Sequence, residues 1–228
     1  SAGCIVNDIV DKDFDKKVKR TKNRPIASGK ITVKHSLVYV SILCLLALMV
    51  LLQFNLLTVI LGMSSMLLAF SYPYMKRYTY WPQLFLGITF NWGIIMAWAA
   101  VNNNISHEII ALYISAIFWT LGYDTIYGAQ DMKDDEIIGV KSTSIKFKEN
   151  MKVFVSSSYF LTLIILGYLF YNELGINILS FFFILFAISL LFQLIIFKQT
   201  KPDKCLTAFK MNNFSGLILF LGILSKNF

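Results

Sequence analysis

The chain has 228 residues, 57% of them hydrophobic and 15% charged, with a mean hydropathy of +0.63. That balance excludes an ordinary soluble domain. The net charge of +8 needs no nucleic acid to explain it, because the basic residues are confined to one set of loops between long apolar runs.

Residues 1–10 form an apolar stub too short to span a bilayer. The stub runs straight into an acidic set, Asn7-Asp8-x-x-Asp11-x-x-x-Asp15. It reads as the end of a longer helix whose beginning is absent. Pro25 predicts the end of this first motif helix, since the residue before a proline is pushed out of the α region; Ser28 and Gly29 then make a turn. Seven apolar runs follow, near 36–54, 56–72, 83–101, 106–124, 152–171, 175–197 and 206–225. Each has about the length needed to cross the hydrocarbon core. Pro73 is expected to close the second run, leaving Lys76 and Arg77 in a 73–82 loop. Pro82 opens the third, with Tyr78, Tyr80 and Trp81 as interfacial aromatics. The fourth run ends in a second acidic set, Asp124-x-x-Tyr127-x-x-x-Asp131-x-x-x-Asp135. Cys4, Cys44 and Cys205 show no ligand spacing and read as packing residues; His35 and His107 are isolated.

Twenty of the 21 Lys and Arg fall in segments 12–34, 73–82, 125–152 and 198–210, and only Lys226 falls on the other side. The loops near 53–55, 102–107 and 171–175 carry none. The positive-inside rule then makes the charged loops cytoplasmic, and the charge reflects topology and contact with anionic membrane lipid. Lysine- and phenylalanine-rich usage and compact loops favour a bacterial inner membrane over an organelle. The two longest charged loops each follow one acidic set, which hints at two related halves.

At about 100° per residue, Asp8, Asp11 and Asp15 fall within roughly 60° on a helix, and Asn7 extends the stripe. Asp13 points away into solvent. Asp124, Tyr127, Asp131 and Asp135 fall within roughly 80°, with Asp134 at the edge. An acidic and basic mixture at a helix end is often only a solvated interface. Two striped sets at one membrane face outweigh that reading, because carboxylates are expensive beside lipid and usually serve an ion or a substrate. Mg²⁺ prefers carboxylate oxygens and keeps waters and substrate phosphates, so two sets can share Mg²⁺ ions that hold a diphosphate. Arg20 and Arg24 follow the first set closely and can grip phosphate oxygens bidentately. Lys76 and Arg77 would approach from a different loop.

These residues resemble a known family. SAGCIVNDIVDKDFD followed by VKRTKNRPIASGKI is similar to the first signature of the UbiA superfamily of membrane prenyltransferases, and GYDTIYGAQDMKDDEIIGVKSTSI to the second. SYPYMKRYTYWPQLFLGITFNWGIIMAWAA narrows the likeness to its 4-hydroxybenzoate polyprenyltransferase branch. One departure is Gly128, where the family usually has Ala, a small-for-small change. The larger one is the N-terminus: family members have nine membrane helices, and by that resemblance the first and most of the second would be missing from this sequence.

The resemblance implies an all-α, multi-spanning transmembrane helical bundle around a central cavity, with about seven complete helices plus the N-terminal stub. Residues 1–228 would form one integral-membrane prenyltransferase domain. Its activity would be Mg²⁺-dependent transfer of a polyprenyl group from polyprenyl diphosphate to the ring of 4-hydroxybenzoate, in ubiquinone biosynthesis. It would lie in the cell inner membrane as a multi-pass protein, with the aspartate motifs facing the cytoplasm. Metal binding passes to Asp8, Asp11, Asp15, Asp124, Asp131 and Asp135, with Asn7 beside them; Asp11, Asp15, Asp131 and Asp135 carry catalysis. Arg20, Arg24 and Lys76 take the diphosphate, Arg77 the carboxylate of the aromatic acid, and Tyr127 orients an aspartate or the diphosphate. Pyrophosphate departs, an allylic carbocation forms in a water-poor cavity, and the ring attacks it beside the hydroxyl. Asp131 or the pyrophosphate removes the ring proton. Phe90, Trp92, Trp98, Phe118, Trp119 and Tyr123 are candidates for cation stabilisation, although packing is the commoner use of such residues. The competing readings are a sister enzyme acting on homogentisate, a naphthoate, haem or a glycerol phosphate, an ion-coupled transporter, and an inactive fragment.

Overall fold

In a computed structural model, which describes residues 2–18 and 21–225, the regular structure is helical and no strand occurs among the described residues. A short helix α1 (Ala2–Val10) and a single turn α2 (Lys12–Asp15) lead into a run of turns. The spanning helices begin with α3 (Val33–Leu51), α4 (Leu56–Tyr78) and the pair α5 (Pro82–Phe90) and α6 (Trp92–Asn102). Then come α7 (His107–Gly128), the short helices α8 (Met132–Ile138) and α9 (Thr143–Lys146), α10 (Met151–Leu169) and α11 (Ile178–Ile196). The pair α12 (Pro202–Lys210) and α13 (Asn212–Leu224) closes the chain. Seven spans are long and apolar enough to cross a membrane, α5–α6 and α12–α13 each counting as one broken span. The chain is a multi-pass membrane protein.

Polar side chains set several helix starts. The side chains of Thr32, Asn55, Ser106 and Asn177 cap α3, α4, α7 and α11 by accepting from a backbone N–H three residues on. Asn55 also donates from Nδ2 to the carbonyls of Ala99 and Ala100, at 2.7 and 3.3 Å, which pins the start of α4 to the end of α6.

Three sequence expectations need correction. The first motif helix does not run to Pro25; α2 ends at Asp15, and hydrogen-bonded turns such as Arg24 N–H to Thr21 O (2.9 Å) follow. Pro73 does not close its helix but lies inside α4, so Lys76 and Arg77 occupy its last helical turn rather than a loop. Proline deprives the carbonyl one turn earlier of its partner, a loss that membrane helices absorb through neighbours and local adjustment. The first span begins at Val33, ahead of the predicted residue 36.

The best-buried side chains lie between α7, α10, α11 and the α12–α13 pair, among them Ile126, Val155, Tyr159, Leu166, Phe186 and Leu190. Lipid tails are as apolar as these groups, so close packing and interhelical hydrogen bonds hold such a bundle together. Both are visible here. Tyr159 on α10 donates to Gln193 Oε1 on α11 (2.5 Å), and Gln193 Nε2 donates to Ser215 Oγ on α13 (2.9 Å). α3 by contrast buries only Ser36 and Val40, and exposes Leu45, Leu46, Met49 and Val50. The basic segments meet at one end: Lys141 N–H donates to Lys76 O, and Gln199 Nε2 to Lys148 O, both at 2.9 Å.

Candidate active site

At that charged end both acidic sets break their helix at the middle aspartate. Asp11, between α1 and α2, has φ −89° and ψ 0°; Asp131, between α7 and α8, has φ −101° and ψ 2°. These values lie in the sparsely occupied bridge region. Helical hydrogen bonds resume at each break. Asp11 N–H donates to Asn7 O and Asp15 N–H to Asp11 O, both at 2.8 Å; Asp135 N–H donates to Asp131 O at 2.9 Å. The first stripe therefore persists across its break, and the second resumes at Asp131. Gly139, with φ +79°, ends α8, and Val140 N–H returns to Asp135 O at 2.9 Å.

The two stripes face each other across one cavity of about 210 Å³. Asn7, Asp11 and Asp15 line one side; Asp124, Tyr127, Asp131 and Asp135 line the other; Arg24 and Lys76 contribute the cations. Asp11 and Asp15 are buried, at 1% and 7% exposure. Arg24 Nη1 donates to Asp8 Oδ1 at 2.9 Å and to Asp15 Oδ2 at 3.0 Å, and Lys76 Nζ pairs with Asp11 Oδ2. Burial raises the Asp11 carboxyl above the usual aspartate value, the Lys76 ammonium opposes that, and the Asp15 charge adds to it. The other oxygen of Asp11, Oδ1, is buried without a hydrogen-bond partner among the described residues.

Asp8 does not line the cavity; it acts on it through Arg24. Arg20 lies outside the described residues. Arg77 is exposed and also outside the lining: Nη2 donates to Val10 O at 2.6 Å, and its guanidinium lies over the rings of Phe14 and Tyr74. As placed, it props the break after α1 rather than facing the cavity. The aromatic lining is also different from expectation, since Phe14, Tyr72 and Tyr127 are present and the suggested cation-stabilising residues are not. Phe90, Trp119 and Tyr123 border a separate cavity of about 360 Å³. Trp92 Nε1 is spent on Leu61 O and Trp98 Nε1 on Asn104 Oδ1. Sequence reasoning missed Tyr72, Thr21 and Gln83, all in the wall. Tyr72 was accessible in principle, being four residues before Lys76 and so on the same helix face.

Known proteins supply the remaining observation. The model of the UbiA prenyltransferase family matches residues 1–215. The chain belongs to the UbiA prenyltransferase family. Among relatives in this family, the mitochondrial 4-hydroxybenzoate polyprenyltransferase of Bos taurus is 44% identical over 99% of this chain and 61% of its own length. The 4-hydroxybenzoate octaprenyltransferase of Blochmanniella pennsylvanica is 39% identical over 99% of this chain and 78% of its own. The chain thus spans about three fifths of the mitochondrial relatives it matches, 61% in each of the cattle, human and rat proteins. In fold it is similar to the apo UbiA homologue of Aeropyrum pernix, with a TM-score of 0.83 at 23% identity, covering all of this chain and 85% of the other. A UbiA homologue of Archaeoglobus fulgidus, solved bound to DMAPP and Mg²⁺, gives a TM-score of 0.70 at 19% identity, covering 98% and 82%.

Proposed function

We propose that this protein transfers a polyprenyl group from polyprenyl diphosphate to the ring of 4-hydroxybenzoate, the step its relatives' names describe. The observation that carries the reading is the meeting of two acidic sets, from distant parts of the chain, across one cavity that also holds Arg24 and Lys76. A transporter would be expected to hold its ion-binding acids near mid-membrane, whereas these carboxylates sit where the basic segments converge.

The residues present fit a divalent metal. The donor set is carboxylate oxygen, as Mg²⁺ requires, and Asp11 Oδ1 is a buried acceptor that no described protein group satisfies. Among the described residues no three acids converge tightly enough to cage an ion alone. Mg²⁺ ordinarily completes its shell with waters and substrate phosphates, so a looser arrangement suits it. Asp11, Asp15, Asp124, Asp131 and Asp135 would hold the metal from the cavity wall, with Asp8 supporting them through Arg24. When bound, Mg²⁺ supplies neutralising charge to the departing diphosphate.

The chain's own groups account for the rest. Lys76 and Arg24, now paired with carboxylates, are positioned to share their charge with diphosphate oxygens. The buried lining limits water that would otherwise quench an allylic cation. The acceptor's ring carbon beside its hydroxyl bonds to the first prenyl carbon as that carbon's bond to the diphosphate oxygen breaks, and the proton on the attacked ring carbon passes to Asp131 or to the released diphosphate. The reading includes an inner-membrane location with the charged end facing the cytoplasm, on the strength of the basic loops.

The test is a prenylation assay on membranes carrying the protein, with Mg²⁺, a prenyl diphosphate and a panel of acceptors. Wild type should modify 4-hydroxybenzoate in preference to homogentisate or a naphthoate, and chelation should stop turnover. Asp11→Ala and Asp131→Ala should each lose about 10²-fold or more in kcat/KM, the scale of removing a group that stabilises developing charge. Full activity in both variants would remove the metal site.

A further inference from the structure

Gln83 is a buried polar side chain in the wall of the aspartate cavity, 6% exposed, for which neither acidic set accounts. It stands in the first turn of α5, directly after Pro82. Its Oε1 accepts the backbone N–H of Thr143 at 2.9 Å. A backbone N–H needs an oxygen partner, so this contact fixes the sense of the carboxamide and turns Nε2 the other way. There it meets the backbone of Gly128, another residue of the cavity wall; a Cβ on Gly128 would stand 3.2 Å from Nε2.

The frame around this amide is rigid. Thr143 Oγ1 and Thr125 Oγ1 share a hydrogen bond of 2.7 Å, and Ser144 Oγ donates to Thr125 O at 2.8 Å. Rotating the carboxamide would orphan the buried Thr143 N–H. Among the described residues Nε2 donates to no protein acceptor, while Lys76 and Arg24 are both engaged by aspartates. Gln83 lines the cavity, so this fixed N–H, unspent within the described protein, has a ligand oxygen as its natural partner.

Two oxygens compete for that role, one on the diphosphate and one on the acceptor. The diphosphate is matched by charged donors. Gln83 is neutral, and the wall also carries the apolar Pro82, Ile138 and Val140, which suits the edge of an aromatic ring. We propose that Gln83 Nε2 donates to an oxygen of the aromatic hydroxy-acid acceptor, and that the missing side chain at Gly128 keeps this donor open to the cavity. The assignment rests on the function proposed above.

The test measures both substrate constants in membranes containing the protein, Mg²⁺ and a prenyl diphosphate. Gln83→Glu retains an oxygen for Thr143 N–H and replaces the donor by an acceptor; Gln83→Met removes the donor without adding charge. Each should raise KM for 4-hydroxybenzoate about tenfold and leave KM for the prenyl diphosphate within about threefold. An unchanged acceptor KM, or an equal rise in the diphosphate KM, overturns the assignment and leaves the proposed function standing. Loss of folded protein in both variants makes Gln83 a purely structural prop and overturns it too. A wild-type protein that prenylates no 4-hydroxybenzoate defeats the proposed function, and this inference with it.

Discussion

At Gly128 a single hydrogen atom decides how the second acidic set is built. A Cβ at this position would lie 2.6 Å from Ser144 Oγ, closer than such contacts occur, and Ser144 cannot yield without leaving Thr125 O. The sequence made glycine for alanine look like a trivial exchange of small residues. That judgement compared side-chain volumes, whereas the cost depends on a neighbour sixteen positions away. Gly128→Ala should therefore destabilise the protein by about 1–3 kcal/mol, as overpacking does, seen as a lower thermal midpoint in detergent. The opposite lesson comes from Asp11 and Asp131. Their spacing alone put them on the right stripes, because helical periodicity is a local property. The partner of each charge was not legible, since Lys76 reaches Asp11 from 65 positions away.

Among the elements, the spans were readable and the breaks within them were not. Length and hydropathy mark a membrane helix because the bilayer demands both. A break depends on whether some other group can satisfy the freed backbone, and that group is often remote. At Asn91, between α5 and α6, the carboxamide donates to Gly87 O on its own helix and to Ala116 O and Thr120 Oγ1 on α7, at 2.8–3.2 Å. Pro73 was misread for the same reason, as its helix continues to Tyr78. α7 packs tightly on α10 at Gly122, where a Cβ would lie 2.5 Å from Tyr159 Cε1. Tyr159 is held on its far side by Gln193. Gly122→Ala should force α7 and α10 apart and break that hydrogen bond. The expected loss is about 1–3 kcal/mol, and faster hydrogen–deuterium exchange along α10 would report it.

For the molecule as a whole, charge distribution and cavity position agree on which end is which. The basic segments and both acidic sets gather together, and the loops at the opposite end carry no Lys or Arg between 53 and 55 or between 102 and 107. With Cys4, Cys44 and Cys205 replaced by Ser, a single cysteine at His107 should react with a membrane-impermeant maleimide added outside intact cells. One at Lys30 should react only after the membrane is opened. The reverse pattern would invert the topology. Asn55 adds a mechanical consequence. By capping α4 and gripping the carbonyls of Ala99 and Ala100 at once, it rivets these helices at the rim remote from chemistry. Any breathing of the α4–α6 wedge must then pivot about that rivet, so its widest excursion falls at the opposite end, where Lys76 and the aspartate cavity lie and the proposed lipid diphosphate would enter.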